Sequence, residues 1–445
     1  MSAKLKLRSR LISLFLKPRT RAIRRGVSEL CRRIAGRPHV LKVFLELDDP
    51  YSYLLSMYLT EIGDGFDVEL EFYLTSALGG AFRPHADMLA VYAERDCERL
   101  ALELGIPFLD RGRAPPVEYR RALIDVLATD EGQENYAEEL LQAISLYWRG
   151  DSEAAARRVS DAGSSQRGDA MLDRNQQLLR KLGHYNSAMI YYAGEWYWGV
   201  DRLHYLLERL SELGAKRESA TCARLTSVRQ IRQVNLPVKP PRAAMELPPL
   251  EYFYSFRSPY SYLSIRRVFD IADAFGLKLT IRPVLPMVMR GLPVPKAKLV
   301  YILTDTAREA VRLGIPFGKF TDPLGPGTER CMAVFAYALS EKRERDFLLN
   351  AGEAIWARRI DVATDEGMRK VTGRTGLFWP EVKAAMEDDA WRVDAEQNCE
   401  SMLEAGSWGV PTLRLGDFVV WGQDRDWLLV RHIEQLCDTG DGILI

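Results

Sequence analysis

Five residues, Pro-Tyr-Ser-Tyr-Leu, occur twice in this chain, once beginning at Pro50 and once at Pro259. The copies lie 209 residues apart, and Leu-Gly-Ile-Pro-Phe recurs at the same spacing at 104–108 and 313–317. Further matches in the same order are Tyr92 with Tyr301, Asp96 with Asp305, Arg99 with Arg308 and, with a shifted register, Trp198-Gly-Val-Asp-Arg202 with Trp421-Gly-Gln-Asp-Arg425. A run of matches in one order indicates an internal duplication with a repeat near 200 residues.

The length of 445 residues suits two such repeats, each large enough to bury its own core. The apolar fraction of 47% and the charged fraction of 27% are those of an ordinary soluble protein. The net charge is zero, but residues 1–40 hold twelve lysines and arginines against one acidic residue, Glu29. The remainder of the chain is therefore acidic, and its charge argues against a nucleic-acid-binding protein.

The six cysteines are scattered, and none lies in a Cys-x-x-Cys pair. Neither a disulfide scaffold nor a zinc ribbon is indicated, and no metal site is predicted. Free cysteines of this kind are typical of a reducing compartment.

Residues 1–39 predict a basic, partly amphipathic helical arm that is interrupted at Pro18. The apolar run Leu11–Leu16 is too short for a membrane span, and no small-residue cleavage site of a signal peptide follows it. Residues 1–37 could form a peripheral membrane anchor, or a mitochondrial presequence if the source is eukaryotic. The alternatives are a solvated tail or a helix packed on the acidic body.

The pattern of apolar and turn residues places a first domain at 40–213, a proline-rich, extended linker at 214–249 and a second domain at 250–445. Each domain is predicted to run β-α-β, helical insert, β-β-α, which is a small α/β fold interrupted by helices. The predicted strands are Val40–Leu47, Val68–Leu74, Leu250–Phe256 and Leu277–Pro283, with hairpins around Ala193-Gly194 and over Thr412–Trp421. The predicted helices begin at Pro50 and after Ser258, fill the stretches from about Ala86 to Asp173 (with a polar break at Ser160–Gly168) and from about Lys298 to Leu403, and end each domain at Arg202–Leu213 and Arg425–Cys437.

Ser258-Pro259 follows the first strand of the second domain and marks a helix start. Serine accepts a backbone N–H at the N-cap, and proline at the first helical position gives up a donor that the helix does not use. A strand, a short turn and a helix N-terminus together can bind an anion, because free N–H groups and the helix dipole converge there. The alternative is that Ser258 is only a cap.

These motifs, with Trp408-Gly-Val-Pro-Thr412 before the second hairpin, resemble the DsbA-like thioredoxin superfamily. Within it the chain is most similar to the 2-hydroxychromene-2-carboxylate isomerases and the kappa-class glutathione transferases. The resemblance is strong over about 250–436 and weaker over 40–213. It implies two tandem thioredoxin-like domains, each with an all-helical insert.

A dithiol oxidoreductase of this fold needs a cysteine of low pKa at this helix N-terminus. The chain carries Ser258 there, so the protein's own thiols cannot exchange disulfides at this site. The resemblance implies glutathione as the thiol, with Ser258 donating its O–H to the thiolate. It also implies that Pro411 is a cis-proline and that the backbone of Val410 pairs with the cysteinyl unit. The alternative for Pro411 is an edge-strand proline.

The resemblance assigns the γ-glutamyl end of glutathione to Gln423 and Asp424. Asp424 could instead act as a helix N-cap, and the matching Asp201 in the first repeat favours a structural share. Lys298 could meet a substrate carboxylate or the glycyl end of glutathione. Its alternative is a place on a solvated helix face.

The first repeat departs from this pattern where the chemistry would lie. Asp49 replaces Ser258, Leu89 replaces Lys298, and no proline lies in 185–189. A carboxylate would repel a thiolate, so the first repeat is predicted to be a non-catalytic partner. Because members of the family pair as dimers, the two repeats are predicted to form an intrachain pseudo-dimer with one working site.

Two functional hypotheses follow from these residues. The first is a cytoplasmic, glutathione-dependent isomerase, or a glutathione transferase, acting on an electron-poor, aromatic-derived small molecule. The second is a non-catalytic thioredoxin-like scaffold whose basic arm contacts a membrane. Ser255 stands where an acidic residue is usual in these isomerases, and the loop 288–295 lacks an asparagine often found there. These differences leave the substrate open.

Overall fold

The computed structural model describes residues 11–76, 78–108, 117–149, 167–218 and 222–439. The chain divides into two compact units. We call residues 24–233 the N-terminal unit, and residues from 234 onward, together with the described residues before Arg24, the C-terminal unit. Residues 1–10 of the predicted arm and residues 160–166 of the predicted polar break lie outside the described residues.

The N-terminal unit holds one four-stranded sheet and the helices around it. The helix α1 Pro18–Ile34 spans the division, since its residues from Arg24 onward belong to this unit. The other elements are β1 Val40–Leu45, α2 Pro50–Gly65, β2 Glu69–Leu74, α3 Ala86–Leu104, α4 Val117–Asp130, α5 Tyr136–Arg149, α6 Arg167–Lys181, β3 Met189–Tyr192, β4 Glu195–Trp198, α7 Leu203–Glu212 and α8 Ala223–Gln230.

The C-terminal unit holds a second four-stranded sheet. Its elements are β5 Leu250–Tyr254, α9 Pro259–Phe275, β6 Leu279–Pro283, α10 Lys296–Arg312, α11 Pro326–Ser340, α12 Glu344–Trp356, α13 Asp365–Thr375, α14 Trp379–Met386, α15 Trp391–Glu404, β7 Thr412–Leu415, β8 Phe418–Trp421 and α16 Asp426–Thr439.

The two sheets have the same strand order, β2-β1-β3-β4 and β6-β5-β7-β8. In each, the first two strands pair in parallel and the last two form an antiparallel hairpin. Phe44 lies opposite Met189, and Phe253 lies opposite Thr412. The strand register therefore makes Ala188 the counterpart of Pro411.

Two partly buried contacts recur in both units at the 209-residue spacing. The Tyr51 hydroxyl donates to Asp96 at 2.8 Å, and the Tyr260 hydroxyl donates to Asp305 at the same distance. The next tyrosine of each repeated motif reaches a backbone carbonyl, Tyr53 that of Pro107 and Tyr262 that of Pro316. The repeated sequence therefore fixes the first helix of each sheet to the first helix of each insert in the same way, which is what a duplicated fold requires.

The predicted α/β class, both hairpins and both helix starts after the first strands are confirmed. Several predicted bounds were too long, because β1 ends at Leu45, β5 ends at Tyr254 and β6 begins only at Leu279. The apolar residues beyond these ends belong to loops, where burial no longer depends on strand pairing. The helical stretch predicted from Lys298 is broken into several helices, and the first of them begins at Lys296, after Pro295.

The prediction of an extended linker over 214–249 was wrong for its first half. Residues 223–230 form α8, and a short 3₁₀ turn follows at Ala243–Glu246. Leu225 and Val228 are buried, since α8 packs against α2. Packing of two apolar side chains stabilises a short helix that intrinsic propensity would leave unfolded. The division between the units falls after Gln233, inside the segment predicted as linker.

The described part of the predicted arm is helical at residues 11–15 and again in α1, and the break at residues 16–17 lies directly before Pro18, which begins α1. On α1 one apolar stripe, formed by Ile23, Val27, Leu30 and Ile34, is 57–78% exposed. Arg25 lies on another face of α1, and its guanidinium makes a two-pronged ion pair with Glu195 of β4 at 2.7 Å. Among the described residues, no helix has the length and apolarity that crossing a membrane requires.

Candidate functional site

Ser258 lies in the turn between β5 and α9 and caps that helix. Its backbone is extended, with φ −91° and ψ 114°, and its side-chain oxygen accepts the N–H of Ser261 at 3.1 Å. Pro259 occupies the first helical position. The Ser258 hydroxyl donates to the carbonyl of Val410 at 3.2 Å. The structure therefore brings together two predicted site residues that are 152 positions apart.

Val410 and Pro411 form a short loop before β7, and the peptide bond between them is cis, as predicted. The Val410 side chain packs against a buried cluster of Phe253, Val284 and Met402. We call the Val410–Pro411 backbone beside Ser258 the slot. The position of the slot is fixed by the packing of Val410 on this apolar cluster and by the hydrogen bond from Ser258, the N-cap of α9.

Gly409, directly before the slot, lies against the indole ring of Trp421. A Cβ atom at Gly409 would lie 2.3–2.6 Å from three atoms of that ring. Trp421 closes β8, so only glycine lets the loop approach the hairpin this closely. The next residue, Gly422, donates its N–H to the Pro411 carbonyl at 2.9 Å. The slot and the turn after β8 are thereby joined.

Gln423 and Asp424 lie in that turn, but their side chains have different surroundings. The Gln423 amide is buried, donates to Glu309 at 2.9 Å and accepts from Arg267 at 3.1 Å. The Asp424 carboxylate is partly buried and lies 3.8 Å from the Arg425 guanidinium. Gln423 thus meets protein groups through its side chain, and Asp424 carries a carboxylate in the same turn.

Lys298, in the first turn of α10, lies over an aromatic ring. Its ammonium is 5.0 Å from the ring centroid of Trp408, two residues before Val410. Burial lowers the pKa of Lys298 to about 8. The side chain therefore does not lie on a solvated helix face, and a cation in such surroundings attracts a carboxylate more strongly than one in water.

Arg290 is a site residue that the sequence did not indicate. It lies in the 3₁₀ turn Met287–Arg290 of the short loop, and its guanidinium donates to the Trp408 carbonyl at 2.9 Å. It also lies 3.3 Å from the sulfur of Cys399. A lone arginine in a loop carries no motif, so only the fold reveals that Arg290 binds the backbone of Trp408, whose ring contacts Lys298.

Two buried hydroxyls lie at the end of β5. Those of Tyr254 and Ser255 have no hydrogen-bond partner within the part of the chain that the structure describes. Burial raises the pKa of Tyr254 well above its ordinary value, so this hydroxyl stays protonated. Buried polar groups in native proteins are normally satisfied by protein, water or ligand. Ser255 lies three residues before Ser258, in the segment that leads into the cap of α9.

The N-terminal unit fills the matching place with its own side chains. Asp49 caps α2 by accepting the N–H of Ser52 at 3.1 Å, as Ser258 caps α9. The hydroxyl of Ser187, the counterpart of Val410, lies 3.0 Å from the Asp49 carboxylate and 2.9 Å from that of Glu46. Ser187 has one proton to donate, so both contacts are hydrogen bonds only when one carboxyl is protonated. Burial raises the pKa of Asp49 and raises that of Glu46 to about 7.

The other end of the N-terminal site is filled as well. Asp201, the counterpart of Asp424, is buried and forms a hydrogen-bonded ion pair with Arg232. Arg232 also donates to the Asp201 carbonyl at 2.9 Å. No proline matches Pro411, and Ala188 at that position has a positive φ of 54°. The carboxylate of this turn is thus seen binding a cation in one of the two units.

Comparison with known proteins agrees with this architecture. A family model described as "DSBA-like thioredoxin domain" matches residues 249–434. Residues 249–434 of the C-terminal unit therefore form a DsbA-like thioredoxin domain.

Within this class, the similar curated proteins are isomerases. The chain is 26% identical over 200 residues to a 2-hydroxychromene-2-carboxylate isomerase of Pseudomonas putida, a match that covers 42% of the chain and 95% of that protein. It is 23% identical over 186 residues to an enzyme of the same name from Sphingobium xenophagum, covering 40% and 93%. These relatives support an enzymatic role.

Two solved structures are similar to part of the chain. One is a 2-hydroxychromene-2-carboxylate isomerase, 26% identical, covering 43% of the chain and 96% of that structure with a TM-score of 0.37. The other is a probable DsbA oxidoreductase from Streptomyces coelicolor, 15% identical, covering 42% and 88% with a TM-score of 0.34.

Proposed function

We propose that the C-terminal unit is a glutathione-dependent isomerase acting on an aromatic-derived electrophile. The observation that carries the proposal is the contact between the Ser258 hydroxyl and the Val410 carbonyl, beside Pro411 at the start of a helix. This places a hydroxyl, the Val410 backbone and a helix dipole at one point. No cysteine is present at this N-terminus, so a thiol has to come from a ligand.

The residues present fit glutathione at each of its three parts. The Val410 backbone can pair with the cysteinyl amide, as a strand pairs with an added strand. Asp424 can accept the γ-glutamyl ammonium, and the ion pair of Asp201 with Arg232 supports a preference of this turn for cations. Lys298 can meet the glycyl carboxylate or a carboxylate of the substrate. The buried hydroxyl of Ser255 adds one further donor.

Bound glutathione would supply a nucleophilic thiolate, which reacts with electron-poor carbon. Ser258 keeps a hydrogen-bond donor next to the sulfur position, after its O–H turns from the Val410 carbonyl. A charge-assisted hydrogen bond and the N-terminal end of α9 both favour the charged form of a thiol. The pKa of that thiol is then lowered toward neutral pH.

Lys298 and the slot decide where the second reactant lies. Burial against Trp408 makes the Lys298 ammonium a strong attractor for one carboxylate. A planar, aromatic-derived acid would therefore be oriented by its carboxylate, with the remainder over the Ser258 turn. A transferase, in which glutathione stays on the product, is a variant of the same proposal.

Calorimetric titration of the purified chain with glutathione tests this function. We expect saturable binding that is abolished by excess S-methylglutathione, which competes for the same place. Heat of dilution alone would contradict the proposal and leave the non-catalytic scaffold as the interpretation.

We also propose that the arm attaches the chain to an anionic membrane surface on the cytoplasmic side. The exposed stripe of α1 supports this proposal, since it has no apolar cover among the described residues. Exposed arginines at 19, 24 and 33 flank the stripe. Apolar residues on one face with basic residues beside them are typical of helices that lie in a membrane interface.

A further inference from the structure

Four neighbouring positions differ between the two units in the polarity of their side chains. They are polar in the C-terminal unit and filled by buried, mainly apolar side chains in the N-terminal unit. The pairs, taken from the repeat spacing and the strand register, are Arg267 with Tyr58, Glu309 with Leu100, Gln423 with Val200 and Asp426 with Leu203.

In the C-terminal unit these side chains form one connected cluster, which we call the turn clamp. Arg267 on α9 donates to the Asp426 carboxylate and to both the backbone carbonyl and the side-chain oxygen of Gln423. Gln423 donates to the carboxylate of Glu309 on α10 at 2.9 Å, and that carboxylate also accepts from Arg312 at 2.8 Å. Glu309 is 1% exposed and Gln423 2% exposed. The clamp thus joins two helices to the turn after β8.

The N-terminal unit builds the same turn without a clamp. Its counterparts Tyr58, Leu100, Val200 and Leu203 are all buried and pack as ordinary core residues. The turn itself is kept, since Gly199 donates to the Ala188 carbonyl at 2.7 Å, as Gly422 does to that of Pro411. Buried polar and charged groups give less stability than well-packed apolar side chains at the same positions. The fold does not need the clamp, so its presence calls for another reason.

We propose that Arg267 and Glu309 are positioning residues that hold the Gln423–Asp424 turn in the orientation that recognises a γ-glutamyl ammonium. This inference rests on the proposed binding of glutathione. The clamp holds both the carbonyl and the side chain of Gln423, so Asp424 has a fixed direction. In the N-terminal unit the counterpart Asp201 forms a hydrogen-bonded ion pair with Arg232, and the clamp residues are absent.

The test transplants the residues of the N-terminal unit into the C-terminal unit, as Arg267→Tyr, Glu309→Leu, Gln423→Val and Asp426→Leu together. Changing all four avoids leaving one buried charge without its partner. The readout is the ratio of two dissociation constants, for glutathione and for cysteinylglycine, which lacks the γ-glutamyl unit. We expect the wild-type chain to prefer glutathione and the fourfold variant to lose about tenfold or more of that preference, since a hydrogen bond to a charged group is lost.

A control variant separates positioning from general damage. Asp305→Asn weakens the hydrogen bond from Tyr260, whose counterpart in the N-terminal unit is the bond from Tyr51 to Asp96. Since this contact occurs in both units, its loss should lower the melting temperature and leave the ratio of dissociation constants unchanged. If the fourfold variant does not fold, Arg267→Lys is used instead. It replaces the guanidinium, which contacts both Gln423 and Asp426, by an ammonium that has a single centre of charge. It should reduce the preference several-fold.

The outcomes distinguish this inference from the function on which it rests. An unchanged ratio in a folded fourfold variant would overturn the clamp and leave glutathione binding intact. If the wild-type chain binds neither peptide, the proposed function fails, and hydrogen exchange of the turn amides 422–424 decides the clamp. Faster exchange in the fourfold variant would support it, and equal exchange would overturn it.

Discussion

Ser258 and Asp49 occupy the same place in the two units and cap the same helix, yet they suit opposite partners. The Ser258 hydroxyl is a donor that reaches a backbone carbonyl, while the Asp49 carboxylate accepts from Ser52 and lies beside Ser187. A capping role is therefore common to both, and the ability to donate to an anion belongs to Ser258 alone.

Ser258→Ala should raise the pKa of bound glutathione. Loss of a hydrogen bond to a charged group of about 1.5–3 kcal/mol implies turnover lower by about 10- to 100-fold at neutral pH. The absorbance of the thiolate, followed across pH in the complex, measures the pKa directly. Asp49→Ala is the matched control, since it also loses a helix cap, worth about 1 kcal/mol of stability. An unchanged thiol pKa in Ser258→Ala would contradict the proposed role.

Glu46 should make the stability of the N-terminal unit depend on pH. Its folded pKa of about 7 lies above its ordinary value, so the folded unit binds the proton more tightly than the unfolded chain does. The contribution is present below pH about 4.3 and is lost as pH rises toward 7, by on the order of 3 kcal/mol. Urea unfolding of wild type and Glu46→Gln should give a difference in free energy that grows between pH 5 and pH 8. Parallel pH profiles would show that Glu46 does not titrate in this range.

Lys298 should make ligand affinity fall in mildly alkaline solution. Because its pKa is about 8, most of its charge is lost by pH 9. Binding of S-methylglutathione, which has no thiol to titrate, should weaken by up to about tenfold between pH 7 and pH 9 relative to Lys298→Arg. The arginine variant stays charged and corrects for titration of the ligand's own amine. The same pH dependence of affinity in the wild-type chain and in Lys298→Arg would show that the ligand's carboxylate does not bind Lys298.

At the scale of elements, most strands and helix starts could be predicted because their signals are local. Pro50 and Pro259 begin helices for the same steric reason, and the Ala193-Gly194 turn forms a hairpin as its sequence indicates. Helix α8 could not be predicted, since its stability comes from burying Leu225 and Val228 against α2. Such tertiary contacts override a weak local preference.

The same distinction applies to the site: residues in local motifs could be predicted from the sequence, and contacts between distant segments could not. Ser258 and the slot could be found from motifs, and the resemblance supplied the cis bond at Pro411. The turn clamp could not be found, because its members come from two helices and a turn that are far apart in sequence. The ion pair of Arg232 with Asp201 was hidden for the same reason, inside a segment read as linker.

The stripe of α1 should decide whether the arm binds a membrane. Val27→Ser with Leu30→Ser should abolish flotation with vesicles that contain anionic lipid, as should deletion of residues 1–37. High salt should weaken flotation of the wild-type chain, because screening reduces attraction of the arginines to the surface. Val238→Ser is a suitable control, since Val238 is 99% exposed outside the arm. Equal flotation of all these proteins would reject the attachment.

At the scale of the whole molecule, the two units share one topology but differ in the residues at the proposed binding place. The N-terminal unit has closed its counterpart at both ends, with Ser187 on Asp49 and Arg232 on Asp201. The pairing of the repeats as a pseudo-dimer stays a prediction. If the two units arose by duplication, one of them would bind glutathione and the other would have a structural role.

One chain should therefore bind one glutathione. Calorimetric titration should reach saturation at a molar ratio of one, and the glutathione that binds should protect amides near Ser258 but not those near Asp49 from hydrogen exchange. Asp49→Ser with Ser187→Val, which restores the residues of the C-terminal unit, is an informative companion variant. A ratio of two in the wild-type chain would contradict the asymmetry.

The ion pair between Arg232 and Asp201 has one more consequence. A side chain tethered to its own polypeptide is always present, whereas a ligand is present only at its free concentration. Ligand binding stabilises a folded domain by an amount that grows with concentration, about 2.7 kcal/mol at a hundredfold excess over Kd. The stability of the C-terminal unit would then rise and fall with the cellular concentration of glutathione. The stability of the N-terminal unit, where Arg232 takes the place of a ligand cation, would not depend on that concentration.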